Sequence, residues 1–200
     1  MNDVIIVGRG PSLIDQGRGE EIDSFPIVVR FIATNERKEG KKTTQTVFYN
    51  ELDHGIKTTY YTSAISRVKD ITKYGVIPEK GTWVYGRFKP GIWDDTIKEV
   101  SENRDRLPKY NPIFCMESVF WHQHYVRLGA RDLGSKAIFT RGAAAVICAA
   151  SRLRPKKIYL AGFDAFYDYT VDTLGPHDIF FERIMVENVA KFYGAYLERF

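Results

Sequence analysis

Short apolar runs that end in glycine, helical stripes between them, and one Ala-rich segment without a polar face predict an α/β fold. The pattern is that of a Rossmann-like, mostly parallel, twisted sheet with helices on both faces. A chain of 200 residues fits a single domain spanning 1–200 and can bury its own core.

The elements follow in order. Val4, Ile5, Ile6 and Val7 form a β-branched run closed by Gly8, the signature of a strand buried on both faces. Ile27 to Phe31 (IVVRF) reads as a second strand. Residues 44–49 alternate toward Val47-Phe48-Tyr49 and stop at Asn50, a third. Trp83-Val84-Tyr85, between Gly81-Thr82 and Gly86, is a fourth. Residues 137–140 (AIFT) lead into Arg141-Gly142, and residues 157–161 (KIYLA) lead into Gly162. Residues 142–153 are apolar almost all round, which predicts a buried helix. Arg152 and Arg154 complement the negative end of its dipole and Pro155 stops it. From Asp178, a plausible cap, to Phe192 the apolar positions 181, 184, 185, 189 and 192 step as a helix does. Residues 54–75 and 87–135 mix helix and loop signals.

Composition bounds the partners. Hydrophobic residues are 44% and charged residues 27%, a globular balance. The net charge of +4 and pI near 8.9 suit an anionic small molecule. The scattered basic residues, with the 37–42 run read as a solvated loop, give no nucleic-acid stripe. Two cysteines, Cys115 and Cys148, make no disulfide framework. Together with the absence of a leader or an apolar span, they set the expectation of a cytoplasmic protein without a transmembrane segment.

Ligands of such sheets bind beyond the carboxyl ends of the strands. The first end is Gly8-Arg9-Gly10-Pro11-Ser12. Two glycines allow close backbone approach and offer N–H groups to a phosphate, and Arg9 adds charge. A plain strand-to-helix turn fits equally. The second is Thr140-Arg141-Gly142 at a helix start, either an anion site or an ordinary cap. The third is Gly162-Phe163-Asp164 with Phe166, Tyr167 and Tyr169, either a stacking platform or core. The fourth is Pro176-His177-Asp178 with Glu182, where a histidine serves as general base or merely lies at the surface. His122-Gln123-His124 lacks further metal ligands at suitable spacing, and neither Asp-x-Asp nor Gly-x-Ser-x-Gly occurs. No metal and no resident cofactor is expected.

Taken together these segments resemble sialyltransferases, combining features of glycosyltransferase families 29 and 42. VIIVGRGPSLIDQGRGEEIDSFPIVVRF at 4–31 is similar to the long sialyl motif, and TRGAAAVICAASRLRPKKIYLAGFD at 140–164 to the short one. Residues 167–169 resemble the tyrosine-bearing third motif. His177, with Glu182 five positions on, matches the very short motif, and Phe48-Tyr49-Asn50 resembles a donor-site segment. The resemblance implies a GT-A-like sialyltransferase variant. Its nucleotide-binding core would span about 1–55 and 136–200, with a variable acceptor-side region at about 56–135.

The implied activity is metal-independent, inverting transfer of sialic acid from CMP-sialic acid to a glycan hydroxyl. The partners are then a nucleotide-sugar donor and a glycan acceptor, with a homo-oligomer left open. Gly8, Arg9, Gly10, Ser12 and Asn50 would bind the donor. Thr140, Arg141 and Gly142 would hold its anionic groups, and Phe166, Tyr167 or Tyr169 the leaving phosphate. His177 would be the base, with Glu182 in support. Arg9, Ile32 and Arg141 replace residues typical of the family. They leave two alternatives: another CMP- or nucleotide-activated acidic sugar as donor, or a non-catalytic nucleotide- or glycan-binding relative.

Overall fold

The computed structural model describes residues 3–8, 10–31, 36–39, 42–45, 50–64, 77–85, 98, 101–102, 105, 107–127, 140–167 and 179–200. Its strands are β1 (Val4–Val7), β2 (Ile27–Phe31), β3 (Glu36–Glu39), β4 (Lys42–Gln45), β5 (Tyr60–Ala64), β6 (Gly81–Tyr85), β7 (Pro112–Phe114), β8 (Lys157–Ala161) and β9 (Tyr196–Arg199). Its helices are α1 (Gly19–Asp23), α2 (Glu51–His54), α3 (Met116–Arg127), α4 (Arg141–Leu153) and α5 (Ile179–Phe192).

Seven strands form one sheet in the order β7-β6-β5-β2-β1-β8-β9, and every neighbouring pair is parallel. The α/β expectation therefore holds. β1 lies inside the sheet, with Val4 opposite both Ile27 and Ile158. Its four side chains are fully buried, and each contributes roughly 1.5–3 kcal/mol. The two-residue period of a strand sends Ile5 and Val7 toward Leu13, Ile22 and Val28 on one face. Val4 and Ile6 meet α4 and α5 on the other.

The Ala-rich helix is buried from Ala143 through Ala150, as its all-round apolarity predicts. Small side chains let it lie against the sheet while α3 and α5 close over it. Trp121 Nε1 on α3 donates to Tyr193 Oη at 3.3 Å, and Tyr125 Oη donates to the Met185 carbonyl at 3.4 Å. Arg154 ends α4 in the left-handed conformation (φ 45°), with Pro155 next. Cys115 and Cys148 are both buried and unoxidised, and burial together with the Cys115 neighbour pushes the Cys148 thiol up.

One expectation is corrected. The strand expected at 44–49 does not join the main sheet through its described residues 44 and 45, and the strand that pairs with β2 on the side away from β1 is β5. Residues 42–45 pair antiparallel with Glu36–Glu39 in a separate hairpin. Both hairpin strands (ERKE and KTTQ) are polar along their whole length and have no apolar face for a covered parallel sheet. Residues 46–49 and the expected strand at 137–139 lie outside the described residues.

Candidate functional site at the topological switch point

From β1 the chain works outward through β2, β5, β6 and β7, then returns to place β8 on β1's other side. The order reverses between β1 and β8, and open parallel sheets bind their ligands beyond the carboxyl ends at such a point. Gly8 and Gly162 begin the two loops that leave there.

These loops are bound to each other. Gly8 N–H donates to the Ala161 carbonyl at 2.7 Å, and Gly10 N–H to the Gly162 carbonyl at 2.8 Å. Ser12 N–H donates to Asp164 Oδ2 at 2.8 Å. A Cβ on Gly8 would fall 2.4 Å from the Gly162 oxygen, and one on Gly10 2.4 Å from Asp164 Oδ2. The glycines do serve a close backbone approach, but to a second loop of the same chain. The N–H groups of Gly8, Gly10 and Ser12 are used internally, as in the plain strand-to-helix turn that the sequence equally allows. Ser12 itself is exposed.

The start of α4 lies against the same assembly. Thr140 is its N-cap, with Oγ1 accepting from Ala143 N–H at 3.2 Å. A Cβ on Gly142 would come within 2.6 Å of Phe163 Cε1, so the helix begins directly on the residue after Gly162. Glu182 in the first turn of α5 is 1% exposed, and its Oε1 accepts the Thr140 N–H. A buried carboxylate thus already sits at the positive end of α4. Tyr85, the last residue of β6, closes this wall. Burial pushes its phenol up, with Arg141 opposing and Cys148 and Glu182 adding to the shift. Its hydroxyl has no hydrogen-bond partner among the described residues.

The third segment divides. Phe166 is 4% exposed and packs edge-on to Phe163 at 5.5 Å, as a core residue does. Tyr167 is half-buried beside two guanidinium groups, Arg183 at 5.0 Å and Arg199 at 5.2 Å from its ring centroid. Burial raises its phenol pKa although both cations oppose the change. Arg183 also donates to the Phe166 carbonyl at 2.9 Å, tying this turn to α5.

Asn50 is placed elsewhere. It caps α2, its Oδ1 accepting from Leu52 N–H at 2.9 Å and its Nδ2 donating to Asp53 Oδ2 at 3.1 Å. Asp53 also accepts from Asp15 N–H and Gly17 N–H, so Asn50 adjoins the far end of the glycine loop rather than α4. These donors, led by Gly17, hold the Asp53 carboxyl below the usual range. Arg30 turns into the α1–α2 layer, bonding Asp23 and the Lys57 and His54 carbonyls.

Arg9, Tyr169 and His177 lie outside the described residues. Residues 122 and 124 sit on α3 rather than on a strand, and two positions apart on a helix they do not share a face. Among the described residues no group of three or more His, Cys, Asp or Glu is arranged to hold a metal. Sequence reasoning named Asp164 only within the third strand-end segment, without a role of its own, and did not single out Tyr85 as part of the site. Each stands at a strand end, the one signal that marks it.

No protein-family model matches the chain, and no curated protein matches it in sequence. Its architecture does have counterparts among solved structures. A mammalian sialyltransferase in complex with Gal-β-1-3GalNAc-ortho-nitrophenol superposes with a TM-score of 0.55 at 18% identity, covering 98% of this chain and 69% of that one. A second mammalian sialyltransferase structure gives 0.54 at 18% identity, over 98% and 68%. The chain has a sialyltransferase-like fold.

Proposed function

We propose that this protein is an inverting, metal-independent glycosyltransferase that moves sialic acid from CMP-sialic acid to a glycan hydroxyl, with His177 as general base. One observation carries the proposal. Segments 8–12, 140–142 and 162–164 and the first turn of α5 converge on one switch point, joined by the Ser12–Asp164 and Thr140–Glu182 hydrogen bonds. They are the segments that resemble the sialyl motifs, and a sialyltransferase-like fold supports the reading.

In the proposed reaction the acceptor oxygen attacks the anomeric carbon while the bond to the CMP phosphate breaks. The acceptor proton passes to the His177 imidazole, a contribution of ~10²–10⁴-fold in typical enzymes. Charge grows on the departing phosphate. The Gly8, Gly10 and Ser12 amides are taken, so its stabilisation falls to the first turn of α4, the Ser12 hydroxyl, Arg9 and Arg141. That no divalent ion takes part rests on the missing Asp-x-Asp pair. Glu182 holds α5, two residues beyond His177, against the cap of α4.

A second reading, a non-catalytic nucleotide-binding relative, draws support from the same internal satisfaction of the loop amides. Isothermal titration with CMP against UMP and GMP, in EDTA, tests the pocket. Selective CMP binding followed by transfer from CMP-sialic acid supports the enzyme, and CMP binding without turnover of any donor supports the relative. No binding by the folded chain rejects both. His177→Ala is expected to keep CMP affinity and to lose transfer by ~10²–10⁴-fold. Transfer at the wild-type rate would remove His177 as the base.

A further inference from the structure

α3, α5 and β9 present large apolar side chains to solvent. Met116 and Phe120, one turn apart on α3, are 51% and 61% exposed, Phe192 at the end of α5 is 70%, and Tyr196 at the start of β9 is 64%. Phe120 and Phe192 belong to one surface. The buried Trp121 ring lies 5.4 Å from both Phe120 and Phe192, and Phe192 lies 5.0 Å from Tyr193. Tyr196 N–H donates to the Lys156 carbonyl at 2.9 Å, which brings the amino end of β8 alongside.

The surface has a charge. Arg154, Lys156 and Lys191 are exposed around it, with the Arg154 guanidinium 5.2 Å from the Tyr193 ring. Nearby carboxylates are already neutralised. Glu117 pairs with Arg152 at 3.1 Å, Glu187 with Arg183 at 2.9 Å, and Glu198 with Lys157 at 2.8 Å. The patch is therefore apolar at its tips and cationic at its rim.

We infer that this face rests on an anionic lipid surface. Exposed aromatic tips enter the headgroup boundary, and flanking cations meet lipid phosphates. A second copy fits less well, because a two-fold contact would bring the cationic rim against itself. Nucleic acid fits less well too, because it asks for a line of cations rather than protruding rings. No helix of the described residues is long and apolar enough to cross a membrane, so the contact is peripheral.

Co-sedimentation of the full chain with vesicles tests this. Vesicles of equal parts phosphatidylcholine and phosphatidylglycerol should carry the protein down at low salt, and phosphatidylcholine alone should not. The Phe120→Ser/Phe192→Ser double variant should bind the anionic vesicles at least about tenfold more weakly. Lys156→Gln and Lys191→Gln should each weaken binding roughly fivefold and flatten its salt dependence. All four side chains are exposed, so unchanged thermal midpoints are expected and confirm folded variants. The inference falls if the protein stays in solution with both vesicles or if neither variant set alters binding. It falls equally if the two phenylalanines instead control dimerisation, or if duplex DNA binds in preference to the vesicles.

Discussion

At Gly10 one hydrogen atom decides whether two loops can meet. A Cβ there would lie 2.4 Å from Asp164 Oδ2 and 2.7 Å from the Gly162 carbonyl oxygen, and neither can retreat without losing a hydrogen bond. Gly10→Ala should therefore destabilise the ligand-free chain by about 1–3 kcal/mol, the usual cost of forcing a carbon into filled space. Urea unfolding without any nucleotide is the measurement. An unchanged midpoint would mean that the two loops are not packed in this way. Reading the sequence located this turn, because an apolar run ending in Gly-x-Gly has few other meanings. It left a ligand and a plain strand-to-helix turn as equal readings of the close approach, because the second loop, about 150 residues away, is invisible locally. Asp164 illustrates the same limit. Its carboxylate gains its role only when β8 lies beside β1, and nothing in its neighbours announces that.

The elements that were legible carried their burial in their composition. β1, β2, β6, β8, α4 and α5 are largely apolar where they are covered, with Arg30, Thr82 and Glu182 as buried exceptions. β5 is a central strand but reads YYTSA, with Thr62 and Ser63 buried inside it, and was hidden by that polarity. β7 has three residues and β9 is a charged edge strand, so neither offers a pattern to count. α4 shows how an element can be legible and still do more than its pattern says. Its Ala-rich face predicts burial, whereas its start is fixed by Thr140, which caps Ala143 N–H and gives its own N–H to Glu182. Thr140→Ala should cost about 1 kcal/mol of stability and Thr140→Ser much less, since serine keeps the capping oxygen. Equal midpoints for the two variants in thermal unfolding would remove the cap from the account of how α4 begins.

Across the whole molecule, the arrangement that defines the site is the strand order. Strand patterns predict a parallel sheet, and the rule for such sheets predicts a site at the carboxyl ends. Which two strands flank the switch is settled by long-range pairing of β1 with β8, a choice that no local pattern encodes. The same long-range logic joins α1, α2 and the glycine loop, where Asp53 and His54 are buried side by side. Here titration becomes a stability statement. Burial pushes the His54 imidazole below its ordinary value, so from about pH 6.5 downward the unfolded chain takes up a proton before the folded one does. Folding stability should fall as pH falls through that window. The Asp53 carboxyl is also held low, chiefly by Gly17 N–H. Its contribution is present above the unfolded value of about 3.9 and is lost as pH falls through the folded one, which adds a second decline of the same sign. Urea titrations at about pH 7.5, 5.5 and 3 should give successively lower unfolding free energies. His54→Gln should flatten the first step and leave the second, whatever its effect on absolute stability, because the slope counts protons and not contacts. A stability that rises between the first two conditions, or a first step that survives in His54→Gln, would show that the proton uptake lies elsewhere and that the α1–α2 junction is not where acid begins to open the fold.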